Sequence, residues 1–249
     1  MRIDLNSDCG ESYGDRTVGD DSRIIPLLTS ANLACGGHGG DQPTMAAALS
    51  LVAEHGVRLG AHVSYPDIAG FGREVLALPA DELAQSLADQ FSALRAEALA
   101  HSLAVAYLKP HGALYNHAQT DSATAQVIVD LALSVVPTLA ILTMPAGELA
   151  RVARACGVPV IAEAFADRLY LDANTLAPRT MDGAVHRDVE RVVAQAVALA
   201  TGEEFASADG SLVRVKCDSV CVHSDSPGAL EFLSAIRKAF VEQGVEVRA

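Results

Sequence analysis

Tryptophan is absent from this 249-residue chain, and aromatic residues make up only 4% of it. A core without large rings has to be filled by Ala, Val and Leu, which suits helices packed on a sheet. Positive charge is also scarce. Eighteen Lys and Arg stand against 31 Asp and Glu, a formal net charge of −13, and no basic run occurs. That balance argues against nucleic acid or an anionic membrane as a partner. An anionic substrate would have to be met by particular local cations. The five cysteines, Cys9, Cys35, Cys156, Cys217 and Cys221, are odd in number and form no Cys-x-x-Cys pair. A disulfide scaffold or a structural zinc site is therefore not expected. Long apolar runs are missing too. The longest, residues 131–144, contains Pro137 and is too short to span a bilayer. The chain enters a strand-like run, Ile3-Asp4-Leu5, at once, leaving no room for a signal peptide. The expected location is the reducing cytoplasm.

Half of the residues are hydrophobic, enough for a large core. Short apolar runs, at 2–7, 30–35, 57–62, 104–109, 138–142, 158–162 and 219–223, alternate with amphipathic stretches at 44–55, 80–101, 122–135, 147–156 and 187–201. A last helical stretch covers 227–243. Such alternation marks repeated βα units and a mainly parallel sheet. We therefore expect an α/β fold: a seven-stranded parallel (β/α) barrel in one domain, 1–249. A doubly wound open sheet is the alternative. Asp41 is placed to cap a helix with Pro43 in its first turn. Gly56 and Gly157 are placed to end helices. Asp209-Gly210 reads as a hairpin turn. Two long polar connections, 63–78 and 165–186, read as binding loops or lids.

The polar residues collect just after the apolar runs. Asn6, Ser7, Asp8, Cys9, Gly10 and Glu11 follow the first, and Asn32 and the Cys35–Asp41 loop follow the second. His62 ends the third, Lys109 and His111 the fourth, Glu163, Asp167 and Arg168 the sixth, and His223 and Asp225 the seventh. In a parallel barrel these positions share one rim, where such folds place their sites. The glycines Gly36, Gly37, Gly39 and Gly40 around His38 lead into a helix N-terminus, which favours an anion such as phosphate or carboxylate. No Gly-Lys-Ser/Thr follows, so this is not a Walker loop. Asp8, His38, His62 and His111 are a candidate ligand set for a divalent metal, since imidazole and carboxylate suit zinc, manganese or nickel. Lys109 is placed to bind a carboxylate or polarise a carbonyl. Arg73 and Arg168 are candidate anion clamps, although Asp167 beside Arg168 makes a local ion pair equally natural. A thiol nucleophile near His38 is the weaker reading of Cys9, Cys35 and Cys221, which suit buried small residues better. His55, His101, His117 and His186 read as solvated residues on helices or their flanks.

Taken together, these strings resemble the LamB/YcsF family, named for lactam utilisation, which forms component A of the prokaryotic ATP-dependent 5-oxoprolinase. The resemblance runs through Asp4-Leu5-Asn6-Ser7-Asp8-Cys9-Gly10-Glu11, Ser30-Ala31-Asn32-Leu33-Ala34-Cys35-Gly36-Gly37-His38 and Gly60-Ala61-His62. It continues through Ser64-Tyr65-Pro66-Asp67, Gly70-Phe71-Gly72-Arg73, Lys109-Pro110-His111-Gly112-Ala113-Leu114-Tyr115-Asn116, Phe165-Ala166-Asp167-Arg168 and Cys221-Val222-His223. The chain departs from the family pattern at Gly39, Val63, Glu74 and Ser224, where Ala, Pro, Arg and Gly are usual. The resemblance implies a barrel similar to the glycoside hydrolase/deacetylase superfamily. It also implies cleavage of 5-oxo-L-proline to L-glutamate with ATP hydrolysis, in a complex with components B and C.

A five-membered lactam is a poor electrophile, and phosphorylation of its oxygen would open the ring carbon to water. On that expectation Asp8, His62, Lys109 and His111 are the catalytic candidates. Asp8 or a neutral His62 acts as general base, and His111 as donor to the oxyanion or leaving nitrogen. Lys109 and the loop Gly36, Gly37 and His38 take phosphate charge. Arg73 or Arg168 takes the carboxylate, and Asn6, Glu163 and His223 complete the binding set. ATP is the expected cofactor, with magnesium or with a bound transition metal as the further candidate. Two rival functions stay open: a metal-dependent amide hydrolase working without ATP, and a non-catalytic substrate-binding subunit of a complex.

Overall fold

The computed structural model describes residues 1–135 and 137–249. Val136, inside the apolar run 131–144, lies outside the described residues. Six strands alternate with helices along the chain: β1 (Arg2–Cys9), β2 (Ser30–Ala34), β3 (Arg58–His62), β4 (Val105–Leu108), β5 (Ala140–Thr143) and β6 (Val160–Phe165). Two small antiparallel hairpins follow, β7 (Tyr170–Asp172) with β8 (Thr175–Leu176) and β9 (Phe205–Ala206) with β10 (Leu212–Val213). The strand β11 (Ser219–Cys221) pairs in parallel with β6 on one side and β1 on the other, closing the ring. Among the described residues the barrel therefore has seven parallel strands, β1 to β6 and β11, and β12 (Glu246–Val247) is added at the start of β1. The expected barrel is present, and the open sheet is not.

The helices are α1 (Asp21–Ile24), α2 (Gln42–His55), α3 (Ala80–Ala100), α4 (Gly112–Ala118), α5 (Ser122–Ser134), α6 (Glu148–Ala155), α7 (Val189–Thr201) and α8 (Ala229–Glu242). Helix α2 starts where the sequence says it should. The Asp41 carboxylate accepts from Thr44 N at 3.0 Å, a cap that contributes about 1 kcal/mol. It ends on Gly56, whose φ of 63° a residue with a Cβ adopts only under strain. The Asp209-Gly210 hairpin is also where it was expected. Strands β5 and β6 begin two residues later than their apolar runs. Pro159 lacks an N–H and cannot donate to the ladder, so pairing starts at Val160. The short helices α1 and α4 carry too little periodicity to be read from sequence.

Apolar residues on the outer face of the barrel, such as Leu5, Leu33, Leu59 and Ile141, pack with Leu49, Leu87, Ile128 and Leu233 of the helices in one continuous core. The inside of the barrel is different. Alternate residues of each strand point inward, and on β1 these are Asp4, Asn6 and Asp8, all buried. The interior is thus a polar column leading to the rim where the strands end.

Candidate functional site

The column is built in hydrogen-bonded layers. Asp4 accepts from Thr29 Oγ1 at 2.6 Å, from Ser30 Oγ at 2.8 Å and from Ser219 Oγ. Above it, Asn6 Nδ2 donates to Ser219 Oγ at 2.7 Å, and Tyr107 OH donates to Asn32 Oδ1 at 2.6 Å. Asn32 Nδ2 donates to Asn6 Oδ1 and to Asp8 Oδ1, both at 2.9 Å. Gly60 makes the layer possible. A Cβ there would fall 2.1 Å from the Tyr107 ring, so only glycine lets the phenol lie across the barrel.

Lys109 enters the next layer from the end of β4 and is only 2% exposed. Its Nζ lies 2.8 Å from Asp8 Oδ1, 2.8 Å from Glu163 Oε1, 3.3 Å from Cys221 Sγ and 3.4 Å from Asn6 Oδ1. The Glu163 contact is an ion pair off the hydrogen-bonding direction, and Glu163 Oε2 has no partner. Burial alone would neutralise the ammonium, but Asp8, Cys221 and Glu163 outweigh it and hold its pKa well above normal. Burial likewise works against the Asp8 carboxylate, yet His62 and Lys109 keep it well below the usual range. Lys109 is thus an internal cation clamped by two carboxylates.

At the rim three imidazoles and a carboxylate meet. His62 Nδ1 lies 3.0 Å from the Lys109 carbonyl, and His111 Nε2 lies 3.0 Å from the Phe71 carbonyl. A carbonyl can only accept, so both of these nitrogens carry the proton in the neutral rings. Their opposite nitrogens, His62 Nε2 and His111 Nδ1, face each other at 2.9 Å. His38 stacks on His111 at 3.6 Å between ring centroids, and its Nε2 lies 3.1 Å from Glu11 Oε1. Burial and the neighbouring His111 push His38 down to about 3, so it is neutral. Glu11 is the carboxylate of this group, its Oε1 3.1 Å from His38 Nε2 and 3.3 Å from His111 Nδ1. Phe71 offers its carbonyl from a left-handed backbone, φ 58°, which costs a residue of this kind on the order of 1–3 kcal/mol. Backbone strain here accompanies the orientation of His111.

The glycine loop has a structural task. A Cβ on Gly39 would fall 2.3 Å from the Glu11 carbonyl oxygen, and one on Gly40 would fall 2.7 Å from that of Ala34. A Cβ on Gly37 would strike Gln90 and Ser64 at 2.4 Å. The loop is packed tight to bring His38 against Glu11. The helix N-terminus it leads to is already capped by Asp41, which also accepts from Gly14 N at 2.8 Å. Gly36 and Gly37 line a separate, open depression of about 470 Å³ with Glu82 and Asp89, whose charge repels phosphate. The tight packing accounts for these glycines without a bound anion.

Above the Lys109 layer opens a cavity of about 550 Å³. Asp8, Glu11, His62, Lys109 and His111 form its floor; Tyr115, Asn116, Phe165, His223 and the segment 176–180 are among its walls. The long 165–186 connection therefore does cover the site, carrying the β7–β8 hairpin. Arg168, 8% exposed, donates through Nη2 to the Ala177 carbonyl at 2.7 Å and through Nε to that of Ala184 at 3.3 Å. It staples this segment. Burial and the nearby Arg179 lower its pKa. The expected local ion pair with Asp167 is not made. Asp167 instead pairs with His223 Nδ1 at 3.0 Å and accepts from Ser226 Oγ at 3.0 Å. Burial would raise Asp167, but His223 outweighs it and holds the carboxyl at about 2. Arg73 is tied to Asp225 in an ion pair and lies over the Phe71 ring at 5.0 Å.

The structure thus brings Asn6, Asp8, His62, Lys109, His111 and Glu163 into one cluster, with His38 stacked behind it and Arg73, Arg168 and His223 around the cavity. Cys9, Cys35 and Cys221 are buried, and burial pushes their thiols upward, Cys35 to about 12, so none is a ready thiolate. His186 is buried, 3.3 Å from Gln195 Oε1, and His117 lies 2.7 Å from Tyr65 OH, so neither is a free solvated residue. Sequence reasoning places Glu11 in the first polar cluster without giving it a role, and it passes over Arg179. Glu11 lies beyond β1, and Gly10 at φ 66° turns the chain so that the side chain reaches back to the histidines. That glycine was the available signal. Arg179 carried none, being one arginine in a long loop.

Glu11, His38, His62 and His111 each offer a ligand atom, and all four atoms lie within 4.8 Å of one another. The donor set suits a divalent transition metal, with Glu11 where the sequence reading had Asp8. No helix among the described residues is long and apolar enough to cross a membrane.

The family model described as "LamB/YcsF family" matches residues 3–249. A Streptomyces avermitilis protein named as the A subunit of 5-oxoprolinase is 44% identical over 247 residues, covering 99% of each chain. One of the same name from Acinetobacter baylyi is 43% identical, covering 100% of this chain and 98% of its own. The crystal structure of a lactam utilization protein from Thermus thermophilus superposes with a TM-score of 0.94 at 40% identity, covering 100% of both chains.

Proposed function

Since the chain belongs to the LamB/YcsF family, we propose that it is the A component of a 5-oxoprolinase, opening 5-oxo-L-proline to L-glutamate with ATP hydrolysed in an assembly with components B and C. The observation that carries this reading is the cavity floor, where the buried ion cluster Asp8–Lys109–Glu163 adjoins the paired imidazoles His62 and His111. The arrangement supports hydrolysis over passive capture, because it sets proton acceptors against a fixed charge pattern at the bottom of a cavity.

Arg179 on the covering segment supplies the cation for the substrate carboxylate, and Arg168 holds that segment in place through the Ala177 and Ala184 carbonyls. Of the two expected bases, His62, whose Nε2 is left without a proton by the bond of Nδ1 to the Lys109 carbonyl, suits the task better than Asp8, which is paired with Lys109 Nζ at 2.8 Å. His62 is oriented by its bond to the Lys109 carbonyl, and Asp8 Oδ2, 3.4 Å from His62 Nε2, stabilises the imidazolium formed when water is deprotonated. His111, next to it, passes the proton on to the leaving ring nitrogen. ATP serves to activate the lactam oxygen; nucleotide contacts belong to the assembly rather than to the Gly36–Gly37 loop.

The test is glutamate release from 5-oxoproline and ADP formation, by this chain alone and with components B and C. Glutamate appearing only with both partners and ATP is the expected result. No glutamate from the complete assembly would overturn it. A second reading, amide hydrolysis without ATP at a divalent metal, is favoured by the convergence of Glu11, His62 and His111. Nucleotide-independent turnover by the chain alone would select it.

A further inference from the structure

The cavity floor poses an electrostatic problem that the proposed reaction leaves unanswered. Three buried carboxylates, Asp8, Glu11 and Glu163, surround one buried ammonium, Lys109. Among the described residues no other Lys or Arg forms an ion pair with any of the three. The neighbouring imidazoles add to the difficulty. His62 and His111 each place a proton on the nitrogen that meets a main-chain carbonyl, at 3.0 Å in both cases. Their remaining nitrogens are then bare acceptors. They point at each other from 2.9 Å, and Glu11 Oε1, also an acceptor, lies 3.3 Å from one and 3.8 Å from the other. Three electron pairs converging out of water repel unless a positive charge sits among them.

We propose that a divalent transition metal of the zinc, cobalt, nickel or manganese kind occupies this point, held by Glu11 Oε1, His62 Nε2 and His111 Nδ1. A point equidistant from atoms 2.9, 3.3 and 3.8 Å apart lies about 2.0 Å from each, the length of a zinc–imidazole or zinc–carboxylate bond. The surroundings are those that ligands of this kind require. Both ring N–H groups are committed to carbonyls, which fixes tautomer and orientation. His38 acts outside the ligand set: its Nε2 contacts the Glu11 carboxylate at 3.1 Å and its ring lies flat on His111. Asp8 Oδ2, 3.4 Å from His62 Nε2, stands on the cavity side, where a fourth, exchangeable position opens. Two imidazoles and one carboxylate with an open position form a catalytic type of site rather than a closed structural one. The ion would supply Lewis acidity to a bound carbonyl or water; His62 and His111 would then be ligands and not the proton carriers of the metal-free reading, and Asp8 would be the base left at the cavity. The sequence-derived set is revised, with Glu11 replacing Asp8 and His38 moved to a supporting place.

Metal binding is measured without substrate, and so independently of the lactam reading. The full chain is stripped with chelator, dialysed and titrated with zinc and, separately, with cobalt. Expected are one metal per chain by elemental analysis, a rise in Tm with zinc, and a visible cobalt band of a low-coordinate nitrogen–oxygen site. In Glu11→Gln and in His111→Asn, cobalt affinity should fall at least about 10-fold, while Arg179→Ala binds as the parent does. Should a variant fail to fold, titration of the unaltered chain still decides. A parent chain that takes up no metal, shows no cobalt band and does not move in Tm overturns the proposal. So does equal uptake by folded Glu11→Gln and His111→Asn. In either case the 5-oxoprolinase reading is untouched.

Discussion

Lys109 and Glu163 meet 2.8 Å apart inside the barrel, with side chains 3% and 0% exposed. Neither is a surface group, so their pairing governs stability as well as chemistry. Removing one partner of a buried pair leaves an uncompensated charge, at a cost of about 3–5 kcal/mol. Lys109→Met should therefore lower unfolding free energy by that order at pH 7, in addition to abolishing turnover. Adding Glu163→Gln should recover part of the loss. Urea denaturation followed by circular dichroism reads both, and a single variant as stable as the parent would show that the pair does not hold the barrel.

Asp167 gives a pH dependence of known sign. Its carboxyl is held at about 2 in the folded chain, below the ordinary 3.8, by His223 against the effect of burial. A lowered folded value means stability that is present above about pH 4 and lost as pH falls through about 2. The contribution is on the order of 2 kcal/mol. Asp167→Asn should flatten the acid limb of the stability curve in this window. An acid limb parallel to the parent's would contradict the assignment.

Gly60→Ala should fail for a steric reason. The new Cβ would meet Tyr107 at 2.1 Å, and overpacking of this kind costs about 1–3 kcal/mol or more. The double variant Gly60→Ala with Tyr107→Leu relieves the clash but loses the bond to Asn32. Thermal melts should place the double variant between Gly60→Ala and the parent. If Gly60→Ala melts with the parent, the phenol is not locked across the barrel.

Arg179 is exposed and lines the cavity, whereas Arg168 is buried and staples the covering segment. The two arginines should separate by experiment. Arg179→Ala should keep unfolding free energy within about 0.5 kcal/mol and raise KM for the acidic substrate about 10-fold or more through loss of a charge-assisted contact. Arg168→Ala should lower stability as well. Steady-state kinetics of the assembled enzyme, beside thermal melts, distinguishes them, and an unchanged KM in Arg179→Ala would remove it from the carboxylate site.

Much of the site was legible because parallel strands end together. His62 and Lys109 were marked by standing at the close of apolar runs, and the ring closure brought both to one floor with Asp8 and Glu163. The glycine loop is ambiguous in the sequence for an equally physical reason. Closely spaced glycines signal close backbone approach, but not what approaches. Here it is the Glu11 main chain at Gly39 rather than a phosphate. Glu11 escaped selection because its side chain is aimed by a turn at Gly10, and turns carry no periodicity. Arg168 had two readings from sequence, a clamp or an ion pair with Asp167. It holds carbonyls, because Asp167 is taken by His223 at the end of the neighbouring strand β11.

The amino-acid sequence by itself determined the barrel and its polar rim. Alternating apolar runs and amphipathic stretches can bury their faces together in few ways, and strand ends inherit whatever residues follow the runs. What only the tertiary structure decided is how those residues are paired. Which nitrogen of His62 and of His111 bears a proton depends on the Lys109 and Phe71 carbonyls, and these come from different segments of the chain. Hydrogen-bond direction and desolvation arise from neighbours distant in sequence, so the bare, converging acceptors of Glu11, His62 and His111 became visible only once the chain was folded.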